Sequence, residues 1–114
     1  MKRLTLILAA TLVAGCLPHP PPPDAPYRAV AKAPADWTLI IDDKHVTFLG
    51  QGQAPLREPR PQSIVGVAGE IYQTPRINVN IVHQPCRDGR TSFAYPDSVQ
   101  VYVDGRLHTG CGGL

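Results

Sequence analysis

Long apolar runs are scarce in this chain. The longest uncharged one, Leu4 to Ala14, has eleven residues, and a bilayer-spanning helix needs about 20. An excess of one charge is also missing. The chain carries 11 Lys and Arg against 9 Asp and Glu, and Lys2 and Arg3 supply the whole surplus. Without those two, nine basic groups face nine acidic ones, so no basic field draws nucleic acid or anionic lipid. Catalytic signatures are absent: there is no Gly-x-Ser-x-Gly, no His-Glu-x-x-His and no glycine-rich phosphate loop. Ser63, Ser92 and Ser98 have no neighbouring motif that would activate a nucleophile. The expectation is a protein that is not an enzyme and uses no cofactor. No internal repeat is present at a fixed period.

Cysteine is sparse and odd in number, with Cys16, Cys86 and Cys111. The residues before Cys16 account for the odd one. Lys2 and Arg3 form a short positive region, Leu4 to Ala14 is apolar, and small residues come next. That is the three-part layout of a secretory signal. It ends in Val13-Ala14-Gly15-Cys16, which resembles the bacterial lipobox. The resemblance implies a diacylglyceryl thioether on Cys16, cleavage before it, and acylation of the new amino group. Two or more acyl chains give lasting attachment where one does not. Leu17 is not Asp, which by resemblance to the sorting rule of enteric bacteria favours the outer membrane, periplasmic face.

Residues 1–15 are thus expected to be a signal peptide and 16–26 a lipid-anchored linker. Six of the ten residues from Leu17 to Pro26 are proline. Such a tract favours extended polyproline II, which would hold the rest of the chain roughly 30 Å from the lipid surface. Residues 27–114 are then one small domain.

That domain reads as all-β. Thirteen prolines and ten glycines interrupt the chain too often for a convincing helix. Trp37–Ile41 and His45–Leu49 flank Asp42-Asp43-Lys44 as a hairpin. Ile77, Val79 and Ile81 alternate with Asn78 and Asn80, and Val99, Val101 and Val103 repeat the pattern. Asp104-Gly105 gives a two-residue turn, with Arg106 to Thr109 returning. That turn pairs Val103 with Arg106 and Val101 with His108, a half-apolar face suited to a barrel rim or an edge. A weaker pair spans Ser63–Val67 and Glu70–Gln73. Gln51 to Gln62, with three prolines, reads as a long loop. The expected architecture is a small antiparallel β-barrel or sandwich of about six to eight strands.

In an exported chain Cys86 and Cys111 are expected to form a disulfide. Closing 24 intervening residues stabilises by about 3 kcal/mol on the chain-entropy model. An alternative stands beside it. His83 and His108 each precede a cysteine by three residues. His83, Cys86, His108 and Cys111 are therefore a four-ligand set for tetrahedral zinc, given a bend at Pro85 and Gly110.

From Cys86-Arg87-Asp88-Gly89 through Tyr95-Pro96 to Gly110-Cys111-Gly112-Gly113, the chain resembles a family of small Gram-negative envelope lipoproteins linked to the META-domain heat-shock lipoproteins. The family pattern is Cys-x-Asp-Gly-Met-Ser-Asp-x-x-Tyr-Pro, a strand, then Gly-Cys, with Gly-Thr-Glu-Pro-Phe-Trp upstream. The resemblance spans about Tyr27 to Gly113. Here Arg90-Thr91-Ser92 stands in place of Met-Ser-Asp, and Pro34-Ala35-Asp36-Trp37 in place of Glu-Pro-Phe-Trp. It implies the fold and an envelope location, and no established activity.

Asp88-Gly89 reads as a turn and Tyr95-Pro96-Asp97 as the start of a strand. The functional alternative is a polar patch of Asp36, Asp88, Arg90 and Tyr95 beside Trp37. Such a mix is able to grip a glycan or peptide by stacking and charge-assisted hydrogen bonds. The functional expectation is a non-catalytic interaction or structural module of the cell envelope. It is held to membrane lipid through acylated Cys16 and faces an envelope protein or cell-wall component, with no nucleic acid. The alternatives are a zinc-binding lipoprotein and an inhibitor of a cell-wall hydrolase.

Overall fold

The computed structural model describes residues 25–113. Cys16 and the expected signal peptide lie outside the described residues. The described part is all-β and contains no helix. Its strands are β1 (Tyr27–Ala31), β2 (Trp37–Ile41), β3 (His45–Gly50), β4 (Leu56–Pro59), β5 (Ile64–Val65), β6 (Gly69–Gln73), β7 (Ile77–Val82), β8 (Cys86–Arg87), β9 (Ala94–Tyr95), β10 (Asp97–Val103) and β11 (Arg106–Gly112).

Nine strands form one antiparallel sheet in the order β4-β3-β2-β1-β11-β10-β7-β6-β5, and β8-β9 is a separate ribbon. The sheet curls into a half-barrel. Strands from opposite ends of that order come close: the Arg60 guanidinium, just after β4, lies 5.6 Å over the Tyr72 ring of β6.

The alternating runs decide which face turns inward. Ile77, Val79, Ile81, Val99 and Val101 are buried inside the curl with Leu39, Ile41, Val46 and Phe48. Val103, at the end of its run, packs partly buried against them. The β2–β3 turn is held as its sequence suggests: the Asp42 carboxylate accepts from the Lys44 and His45 amides at 2.8 and 2.6 Å. The Asp104-Gly105 turn gives the expected register, Val103 to Arg106 and Val101 to His108. The β11 strand is central rather than an edge, between β1 and β10.

Besides the short β8–β9 ribbon, two strands of the main sheet lie where the sequence suggested none. The first, β1, has Ala29 and Ala31 on its inner face, and alanine is a weak strand former. Small residues are needed there because the Trp37 indole and the paired β11 strand crowd the space. A Cβ on Gly110 would meet the Val30 carbonyl oxygen at 2.1 Å and the Trp37 ring at 2.7 Å. The second, β4, lies inside Gln51–Gln62, and it corrects the reading of that segment as a loop. Its Pro59 is tolerated because β4 is an edge strand, where an amide donor can be spared.

The half-barrel has two ends. Tyr27, Asp97, Gly112, Val82 and Gly69 are brought to one of them by register, here the tyrosine end. Trp37, Gly50, Val103 and Arg106 are at the other, the tryptophan end.

Candidate functional site

The tryptophan end carries an aromatic cluster. The Phe48 ring lies 5.6 Å from Trp37, and the His108 ring lies 5.0 Å from Phe48 and edge-on to Trp37 at 6.2 Å. His108 reaches this cluster because its β11 register turns it to the inner face. Burial, with Arg106 nearby, holds the imidazole below its ordinary pKa. Both causes favour the neutral imidazole, in which one ring nitrogen donates and the other accepts. The Trp37 Nε1–H is buried and has no hydrogen-bond partner among the described residues.

These rings floor a cleft of about 190 Å³ whose sides are Asp36, Gln51 and Gln53. Two further hollows, about 380 and 330 Å³, adjoin it. Gln53 borders all three. The second hollow is flanked by Arg76 and Asp104, which form a two-pronged ion pair at 2.8 Å. The result is one shallow, mixed groove across the end of the molecule. Among the described residues no serine, cysteine or lysine lines it.

The tyrosine end is filled instead by a polar network. The Tyr27 hydroxyl donates to Asp97 Oδ2 at 2.9 Å. His83 Nδ1 lies 2.7 Å from Asp97 Oδ1, and its Nε2 lies 3.1 Å from Glu70 Oε1. The two carboxylates raise the His83 pKa, the Asp97 hydrogen bond most. Burial raises that of Tyr27, and its bond to Asp97 adds to the effect. Gly113 fits against this network, since a Cβ there would sit 2.7 Å from Asp97 Oδ2. Both imidazole nitrogens are occupied, so the arrangement ties four chain segments together. The sequence gives no sign of it, because its four side chains meet only through the sheet register.

The expected patch divides. Asp88, Arg90 and Tyr95 come together on the outer face around the β8–β9 ribbon. The Asp88 carboxylate accepts from the Arg90 and Thr91 amides at 2.8 and 3.1 Å and from the Tyr95 hydroxyl at 3.3 Å. Those backbone donors hold the Asp88 pKa below its ordinary value. The Arg90 guanidinium donates to the Ala31 carbonyl at 2.8 Å and to that of Ala35. Trp37 is only 4 % exposed and faces inward, so it offers no outer stacking surface. Asp36 lines the cleft at the tryptophan end.

Cys86 and Cys111 are joined in a disulfide, with Cα atoms 5.5 Å apart. The bridge pins the β8–β9 ribbon to the outer face of β11. The alternative zinc set is not assembled. Both sulfurs are in the bridge, His83 is held by Asp97 and Glu70, and His108 is turned to the opposite face of β11 from Cys111. Among the described residues no cluster of three or more His, Cys, Asp or Glu is arranged to hold a metal ion.

No family model, curated protein or solved structure matches this chain.

Proposed function

We propose that this chain is a lipid-anchored lipoprotein of the Gram-negative envelope, of the kind it resembles, acting as a non-catalytic interaction module at the periplasmic face of the outer membrane. One observation carries the reading: the chain enters the sheet at Tyr27, and the groove lies at the opposite end of the half-barrel. A tether at Cys16 would then hold the tyrosine end toward the lipid and turn the groove toward the cell wall. The mixed lining of Trp37, Phe48, His108, Gln51 and Gln53 suits a neutral, partly apolar segment of an envelope protein or cell-wall component. The disulfide supports an oxidising compartment.

Two measurements test this. Intact mass of the chain extracted from membranes should show it beginning at Cys16 with acyl groups attached, and the Cys16→Ser variant should leave the membrane fraction. A chain that is unmodified and still begins at Met1 overturns the anchoring. In-cell photocrosslinking from position 51 should trap an envelope component. Recovery of only the protein itself and lipid overturns the interaction role.

A further inference from the structure

The β5–β6 hairpin is apolar at its tip and exposed. Ile64 is 51 %, Val65 75 % and Val67 110 % exposed relative to a free residue. No charge occurs between Arg60 and Glu70. The turn is fixed by the Gly66 amide donating to the Gly69 carbonyl at 2.8 Å. This tip belongs to the tyrosine end. The His83 amide donates to the Ala68 carbonyl at 2.8 Å, and the His83 ring continues through Asp97 to Tyr27. The apolar tip is thus coupled by three hydrogen bonds to the point where the N-terminal segment joins the sheet.

We propose that this tip is a second membrane contact, inserting Ile64, Val65 and Val67 into the headgroup–acyl boundary beside the lipid tether. The proposal rests on the anchoring read from Cys16. Consecutive strand residues point to opposite faces, and Ile64 and Val65 are both more than half exposed. A protein partner seated on one face would cover one of them. A bilayer surrounds both. An uncharged tip meets no electrostatic penalty there, while its turn amides and carbonyls keep it shallow. For the tip to reach lipid, the extended tract from Leu17 to Pro26, about 30 Å long as polyproline II, lies along the membrane surface instead of standing off it as the sequence alone suggests. The groove then faces directly away from the lipid.

The test uses the full chain, extracted from membranes and reconstituted into phosphatidylethanolamine–phosphatidylglycerol vesicles with brominated acyl chains. Val67→Trp and Ile64→Trp serve as separate reporters, and native Trp37, buried at the far end, is the internal reference. Both reporters should be quenched by bromine by about twofold or more, and adding Val65→Asp should restore most of the emission. An unquenched reporter overturns the proposal. So does a blue shift that follows protein concentration and ignores bromine, which would assign the tip to a second copy. Intact mass at Cys16 scores the anchoring separately. Bromine quenching in an unacylated chain would support the tip while sinking the tether, and an acylated chain without quenching would do the reverse.

Discussion

At the residue scale, the weight falls on His83 and its two carboxylates. Its folded pKa is raised by Asp97 and Glu70. The stabilisation it supplies is therefore fully present below its unfolded pKa of about 6.5 and is lost as pH climbs through the higher folded value. The thermal midpoint should fall between pH 6 and pH 9, and His83→Gln should flatten that decline. A slope unchanged by the variant would show that the ion pairs do not act in solution. Asp42, Asp88 and Asp104 have lowered pKa values, so their contribution vanishes in the opposite direction, as acid protonates them. Tyr27→Phe removes a donor from buried Asp97 and should cost about 1–3 kcal/mol, read as a lower urea midpoint at constant slope. The network around His83 could not be read along the chain. Tyr27, Glu70, His83 and Asp97 are far apart in sequence, and isolated polar residues at strand ends carry no local pattern.

At the scale of elements, legibility follows periodicity. Ile77–Val82 and Asp97–Val103 alternate cleanly, and the Asp104-Gly105 turn fixes a register that can be counted from the sequence alone. The β1 and β4 strands escaped because alanine and proline argue locally against strands, and their inclusion depends on partners elsewhere. The cost of that crowding is testable. Gly110→Ala places a methyl group against the Val30 carbonyl and the Trp37 ring, and should destabilise by about 1–3 kcal/mol or more through overpacking. Chemical unfolding of the variant would measure it, and a loss under about 0.5 kcal/mol would show that the strands can part to make room. The Asp88 turn was legible for the same reason as the hairpins. Its split from Trp37 was not, since strand alternation sends the indole inward and leaves the ribbon outside.

For the whole molecule, the disulfide cross-links the ribbon to the sheet in addition to the main chain that joins them. It spans a separation of 25 residues. Reduction should lower stability by about 3 kcal/mol on the chain-entropy model, seen as a shift of the unfolding midpoint with and without reductant. Equal midpoints would show that the unfolded chain gains no freedom from the cut. The cysteine pairing was readable from the count and from the expectation of export. The contrast between a filled tyrosine end and a grooved tryptophan end was not, because it requires knowing which way every strand runs.

The curled sheet never closes. Among the described residues no ladder pairs β4 with β5 or β6, and the stacked Arg60–Tyr72 contact bridges the gap. Such a clasp can spring without breaking a single backbone hydrogen bond, so the molecule has a built-in line of easy parting. Breathing along that line would wet the interior from the side while both ends kept their shape, and amide exchange in β4 should outpace that in β10 and β11.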